Sequence, residues 1–193
     1  MRLFIAYFPS KEIIREFKEI QKSLKQFTSH LKFTKSAIVH ITLRFLGNDV
    51  SGKSYEMILP GLKDIISNSN SFNVRFGETR LGFPGRRNPR ILFISTLRNE
   101  GFDKLLSRIN THVDSFQLPD IVDYKLRNES HFHFTLARTR RRLKVDTIQG
   151  IHRRLEEANL PDGFRVKKIS IVESELKREG PEYSIVEEIS LKD

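Results

Sequence analysis

Two short stretches of the sequence pair a histidine with a threonine two residues later. They read VHITLRFLGN, which contains His40 and Thr42, and FHFTLARTRR, which contains His133 and Thr135. Imidazole has a pKa of about 6.5, so near neutral pH one histidine can release a proton while another accepts one. Threonine hydroxyls can donate hydrogen bonds to phosphate oxygens. The four residues therefore predict acid–base chemistry at a phosphodiester, and this chemistry requires no metal and no cofactor.

Both stretches have the composition of β-strands, and this puts each histidine on the same face as its threonine. Side chains alternate along a strand, so His40 and Thr42 point one way while Ile41 and Leu43 point into a core. A single pair of this kind is more often a core hydrogen bond than a site. Two pairs at matching points of a repeated pattern favour a shared functional cleft.

The predicted elements repeat in the same order in the two halves of the chain, residues 1–85 and 86–193. Each half reads strand, helix, histidine strand, helix, strand, and Leu3-Phe4-Ile5 aligns with Leu92-Phe93-Ile94. Ser10 and Asn99 are suited to begin the first helix of each half. We expect Pro60-Gly61 to kink or split the second helix, and we expect two closing strands over residues 164–174 and 181–191.

This duplication predicts an α+β fold with two lobes related by a pseudo-twofold axis. Each lobe has an antiparallel sheet with helices on its outer face, and the active site lies in the cleft between the lobes. The sequence has no polar linker between its halves, and residues 85–89 are the expected crossover. We therefore predict one domain over residues 1–193, with the lobes interleaved.

The composition limits the possible partners and compartments. The chain has 193 residues, a net charge of +10 and no cysteine. The absence of cysteine excludes disulfides and thiolate catalysis and favours a cytoplasmic location. No apolar run is long enough to span a bilayer, so no membrane association is expected. The positive charge favours a polyanionic partner, with nucleic acid the first candidate.

The two HxTx motifs resemble those of the 2H phosphoesterase superfamily. More narrowly, the chain is similar to the RNA 2′,3′-cyclic phosphodiesterases, also called 2′-5′ RNA ligases. The similarity covers nearly the whole chain and includes the strings RLFIAYFPS, HITLRFLGN, GFPGRRNPRILFIS and HFTLARTR. One departure is SAIVHITL, which lacks the tryptophan or proline that often precedes the first motif.

The resemblance implies hydrolysis of a 2′,3′-cyclic phosphate at an RNA end, such as that of a tRNA fragment, to a 2′-phosphate. By analogy His40 would be the proton donor and His133 the proton acceptor, while Thr42 and Thr135 would hold the phosphate. Sequence symmetry alone leaves open which histidine is acid and which is base. The same residues could join RNA ends through a 2′-5′ linkage. A role in RNA processing is implied, and we expect a monomer.

Several arginines near the motifs are candidate ligands for the RNA backbone. Alternation puts Arg44 on the face of His40, whereas Arg138 has the opposite parity from His133 unless the strand bulges or ends. Arg86 and Arg90 lie at the expected crossover between the halves. The arginines at 140–142 are more simply a solvated turn. Phe45, Phe83 and Tyr124 could stack on a terminal base, although each is more simply a core residue.

Three alternatives remain open from the sequence. His131 shares a face with His133, so the two could hold a divalent metal, although Glu129 is the only carboxylate close to them in sequence. A non-catalytic RNA- or nucleotide-binding module would explain the charge but not the paired motifs. A third possibility keeps the chemistry and takes a small cyclic nucleotide as the substrate.

Overall fold

The computed structural model describes residues 1–83, 88–123 and 132–193. Its strands are β1 (Leu3–Tyr7), β2 (Leu31–Phe33), β3 (Ile41–Gly47), β4 (Phe72–Leu81), β5 (Ile91–Thr96), β6 (His133–Thr139), β7 (Gly163–Val166), β8 (Lys168–Lys177) and β9 (Gly180–Ser190). Its helices are α1 (Lys11–Ser23), α2 (Gly52–Ser67), α3 (Glu100–Ser115) and α4 (Val145–Glu156). Within these ranges, no helix has the length and apolar character needed to cross a membrane.

The strands form two antiparallel sheets, which confirms the predicted α+β class. The four-stranded sheet has the order β3-β1-β8-β9, and the five-stranded sheet has the order β2-β6-β5-β4-β7. In each sheet the histidine strand pairs with the opening strand of its own half, β3 with β1 and β6 with β5. Strand β4 of the first half and strand β8 of the second half cross over, because β4 pairs with β5 and β8 pairs with β1. Each sheet therefore contains strands from both halves of the sequence.

The helices cover the sheet faces that lie away from the histidines. On the five-stranded sheet, Phe17 of α1 packs on Phe134 at 5.0 Å between ring centroids, and α4 packs against β4. On the four-stranded sheet, α3 packs against β3 and α2 against β9. The main hydrophobic core fills these layers. A smaller cluster of Phe4, Ala6 and Val172 lies on the other face of the four-stranded sheet.

The helix starts follow the sequence prediction, but the course of α2 does not. The side chains of Ser10 and Asn99 accept hydrogen bonds from the first turns of α1 and α3, as predicted. The predicted split of α2 is wrong, since the helix continues through Pro60. Glu56 and Pro60 are both exposed, so water can satisfy the carbonyl that Pro60 leaves without a donor. Gly61 lets α3 approach closely, because a Cβ there would collide with the His112 ring.

The first predicted closing strand is two strands in the structure. Residues 163–166 form β7 beside β4, while residues 168–177 form β8 beside β1, in the other sheet. Only Lys167 separates them. The short strand β2, which the sequence did not predict, adds a further edge to β6. Both segments have the composition of a strand, so composition alone does not show the change of sheet.

Candidate active site

The two HxTx motifs lie in one cleft between the sheets. His40 and Thr42 reach it from the four-stranded sheet, and His133 and Thr135 reach it from the five-stranded sheet. Strands β3 and β6 contact each other, which brings the two motifs together. The cleft has a volume of about 440 Å³, in the range of pockets that hold small ligands. Both histidines are half-buried, so the cleft shields them while leaving them open to a ligand.

The ring of His40 is held in a defined orientation and tautomer. Its Nδ1 lies 2.7 Å from the carbonyl oxygen of Ile38, which can only accept, so Nδ1 carries the proton and donates. In the neutral ring Nε2 is therefore an acceptor, and the hydroxyl of Thr42 donates to it at 3.0 Å. Protonation of the ring occurs at Nε2. The nitrogen that can exchange a proton is thus the one beside Thr42.

The surroundings of His40 disfavour its charged form. Burial lowers the pKa of His40 below its usual value, the hydrogen bond to Ile38 acts in the opposite direction, and the nearby His133 lowers the pKa further. The aromatic rings of Phe4, Phe8 and Tyr183 lie 5.0–5.6 Å from the His40 ring. An anion in the cleft would oppose these effects, because negative charge stabilises the imidazolium ion.

His133 has its own aromatic surroundings in the other sheet. The rings of Phe93 and Phe83 lie 5.2 Å and 5.5 Å from the His133 ring, both in edge-on geometry. Phe93 is the residue that aligns with Phe4 in the sequence repeat, and each of the two packs against the histidine of its own half. The alignment of the opening strands therefore corresponds to a real equivalence in three dimensions.

The structure corrects the placement of Arg44. In the pairing of β3 with β1, Ile5 lies opposite Arg44 and Ala6 opposite Thr42, so Leu43 is an extra residue in a β-bulge. The bulge reverses the alternation, and Arg44 points away from the cleft. Its fully buried guanidinium donates to the side chains of Asn110 and Asp114 of α3. Arg44 thus secures β3 to α3, while its neighbour Phe45 lines the cleft.

The same irregularity in β6 has the opposite consequence for Arg138. Phe93 pairs with Thr135 and Leu92 with Ala137, so Leu136 is the extra residue. Ala137 is buried, and Arg138 reaches the cleft that contains His133. Arg90 lies beside Arg138, in a second cavity next to the cleft. Arg86 lies outside the described residues, as do His131, Glu129 and Tyr124 of the sequence hypotheses.

Several residues that line the cleft could not be recognised as site residues from any motif or spacing in the sequence. Arg2, Lys32 and Lys35 add positive charge, and Tyr183 comes from β9. Burial raises the pKa of Tyr183, while Arg138 and Arg2 act to lower it, so its phenol remains protonated at neutral pH and can donate a hydrogen bond. Lys32 donates to the carbonyl of Glu179 at 3.0 Å and so links β2 to the β8–β9 turn. These residues come from distant parts of the chain, and only the fold brings them together.

The described part of the chain contains no group of three or more histidine and carboxylate side chains arranged to hold a metal ion. Among the described residues that line the cleft, Glu179 is the one acidic residue, and Arg2, Lys32, Lys35 and Arg138 are cationic. A site of this composition favours an anionic ligand over a cation.

Comparison with known proteins shows which proteins this fold and cleft are similar to. The family model described as LigT like Phosphoesterase matches residues 8–93. This match confirms the resemblance to the 2H phosphoesterase superfamily that was drawn from the two motifs. The match includes the first motif, and His133 lies beyond it.

Longer similarities extend over the second motif. The chain is 26% identical over 193 residues to the RNA 2′,3′-cyclic phosphodiesterase of Aquifex aeolicus, covering 99% of this chain and 97% of that protein. The crystal structure of TT0787 of Thermus thermophilus has a TM-score of 0.76 at 24% identity, covering 100% and 98% of the two chains. That of E. coli LigT complexed with 3′-AMP has a TM-score of 0.70 at 15% identity, with the same coverage. These structures share the fold.

Proposed function

We propose that the protein hydrolyses 2′,3′-cyclic phosphate ends of RNA to 2′-phosphomonoesters by metal-independent acid–base catalysis with two histidines. The observation that carries this proposal is the convergence of His40 and His133, each with its threonine, on one cleft. The name of the relative from Aquifex aeolicus supports the substrate class. The positive charge of the cleft agrees with it.

The reaction needs one proton acceptor and one proton donor on opposite sides of the phosphorus. In the proposed reaction, the oxygen of a water molecule attacks phosphorus while His133 takes a proton from that water. The bond from phosphorus to the 3′-oxygen then breaks, and Nε2 of protonated His40 gives its proton to that oxygen. The products are a 2′-phosphate and a 3′-hydroxyl. The histidines return to their initial states by proton exchange with water.

The remaining cleft residues stabilise the charge on the phosphoryl oxygens. In this proposal the Thr42 hydroxyl no longer donates to Nε2 once His40 is protonated, so Thr42 and Thr135 both donate to the phosphate, and Arg138 supplies a positive charge beside it. The bound phosphodiester is anionic, so it raises the pKa of His40 and favours the protonated form that a donor requires. This explains how a histidine whose pKa is lowered in the free protein can act as the acid.

The same residues can catalyse transfer of the cyclic phosphate to an RNA hydroxyl instead of water. A 5′-hydroxyl of a second RNA end takes the place of water, and its attack on the cyclic phosphate forms a 2′-5′ linkage. The strain of the cyclic ester drives this step, so no nucleotide cofactor is needed. The proposal includes a cytoplasmic, monomeric enzyme of RNA processing, with tRNA fragments among its substrates.

A second candidate function keeps the chemistry but changes the substrate. The cleft volume of about 440 Å³ is sufficient for a single nucleotide. This observation favours a small cyclic nucleotide as the alternative to an RNA end. The two candidates differ in whether residues outside the cleft contribute to binding.

The direct test is to incubate the protein with a 2′,3′-cyclic nucleotide in the presence of EDTA and to identify the product. We expect turnover to the 2′-phosphate. Binding of RNA without turnover would indicate a binding module, and loss of turnover on adding EDTA would indicate metal catalysis. A 3′-phosphate product would show that the 2′-oxygen is the leaving group, contrary to the proposal.

A further inference from the structure

A second cavity adjoins the cleft on the side of the five-stranded sheet. It has a volume of about 630 Å³ and is lined by residues 82–83, 88–91 and 138. Arg138 lines both this cavity and the cleft, so the two spaces are adjacent across one side chain. A ligand that passes Arg138 can therefore occupy both.

Phe83 gives this second cavity an aromatic surface. Its ring stacks on Phe93 with 4.8 Å between centroids and 30° between planes, which supports it from one side. It also meets the ring of His133 edge-on, close to the proposed site of reaction. Phe83 is 37% exposed in spite of these contacts. A supported and exposed aromatic ring of this kind is suited to stacking with a nucleic-acid base.

The second cavity also has the charge that a phosphate requires. Arg138 lies opposite Ile91 in the β5–β6 pairing, next to Arg90, and both arginines are exposed. The main chain holds them together, since the carbonyl of Arg90 accepts from the Thr139 amide at 3.0 Å. No acidic residue is among the described residues that line this cavity. Guanidinium groups bind phosphate oxygens with directional hydrogen bonds.

We infer that this cavity is a second nucleotide subsite, which binds the residue preceding the terminal nucleotide of an RNA strand. The base of that residue stacks on Phe83, and the phosphate that joins the two nucleotides lies between Arg90 and Arg138. The inference rests on the proposed function and narrows its substrate to an oligonucleotide, because a mononucleotide leaves the subsite empty.

The test compares two substrates with the same terminal base, a mononucleoside 2′,3′-cyclic phosphate and a dinucleotide with the same cyclic end. We expect kcat/KM to be about tenfold higher for the dinucleotide, the size of one stacked base. The ratio should fall toward one in Arg90→Gln and Phe83→Leu. The leucine keeps apolar packing against Phe93 and His133, and using the ratio cancels effects on His133 itself.

Arg98→Gln is the matched control, because Arg98 is an exposed arginine beyond the other end of β5 and makes a surface ion pair with Asp103. It should keep the ratio of the unmodified protein. The dinucleotide should also show a steeper dependence of binding on salt, by about 0.7 in log–log slope for one more phosphate. Arg90→Gln should remove that difference.

A ratio near one in the unmodified protein, or an unchanged ratio in both subsite variants, would refute the second subsite. Failure to turn over either substrate would instead refute the proposed function. In that case the second subsite is tested by comparing the dissociation constants of a 3′-phosphorylated dinucleotide and of a 3′-mononucleotide. Tighter binding of the dinucleotide that Arg90→Gln abolishes would support the subsite, and equal binding would overturn it.

Discussion

The two motif strands have the same irregularity but use it differently. Both β3 and β6 bulge at the leucine that follows the motif threonine, Leu43 in one and Leu136 in the other. In β3 the next two residues are arginine and phenylalanine, and in β6 they are alanine and arginine. The arginine of β3 is therefore buried against α3, and Arg138 of β6 reaches the cleft. The repeated frame thus buries the arginine of one half against a helix and leaves the arginine of the other half at the cleft.

The histidines themselves should behave alike in spite of this difference. We expect His40→Ala and His133→Ala each to lower kcat by at least about 10²-fold, the size of a general acid–base contribution. The double variant should lose far less than the product of the two single losses, because the pair acts as one unit. Steady-state kinetics on a cyclic nucleotide would measure this. Full activity in either single variant would show that the two strands do not share the chemistry.

Substitution of Arg44 should mainly affect stability, whereas substitution of Arg138 should mainly affect substrate binding. Arg44→Ala should lower the free energy of unfolding by about 2–3 kcal/mol, because it removes buried hydrogen bonds and leaves Asp114 without its ion-pair partner. Arg138→Ala should leave stability within about 0.5 kcal/mol, since this residue is exposed, and should raise KM about tenfold. Denaturant unfolding and kinetics on the same two proteins test this. Equal stability losses would contradict the opposite orientations of the two side chains.

The smallest expected effect concerns the protonation of His40. Burial and His133 lower its pKa, so in the free protein the ring should lose its proton at a pH below about 6.5, and it should be neutral at about pH 7. Inorganic phosphate in the cleft should raise that pKa. Titration of the ring protons by NMR measures both values. A pKa above about 6.5 in the free protein would show that burial does not control His40. An unchanged pKa with phosphate would show that the anion does not bind beside it.

Much of the frame could be predicted from the sequence, because local chemistry determines it. Ser10 and Asn99 accept from first-turn amides wherever the helix lies, and both caps are confirmed. The break at Lys167 was not predictable, since β7 and β8 are both extended and differ only in which strands they pair with. The exchange of β4 and β8 between the two sheets could not be predicted for the same reason.

Part of the candidate site could likewise be predicted from the sequence, and part could not. The repeated spacing of His40-x-Thr42 and His133-x-Thr135 predicted that these residues share a cleft, and the structure places all four in one. The orientations of Arg44 and Arg138 could not follow from that spacing. A single extra residue in a strand reverses every later side chain, and the position of a bulge depends on the partner strand.

By itself, then, the sequence determined the α+β class, the repeated order of elements and the spacing of the two histidine–threonine pairs, all of which depend on composition and short-range pattern. The tertiary structure alone decided that Arg2, Lys32 and Tyr183 share a cleft, and that one arginine faces a helix while the other faces the site. The physical reason is that strand pairing joins residues far apart in the chain, and its register is set by the whole sheet rather than by any one strand.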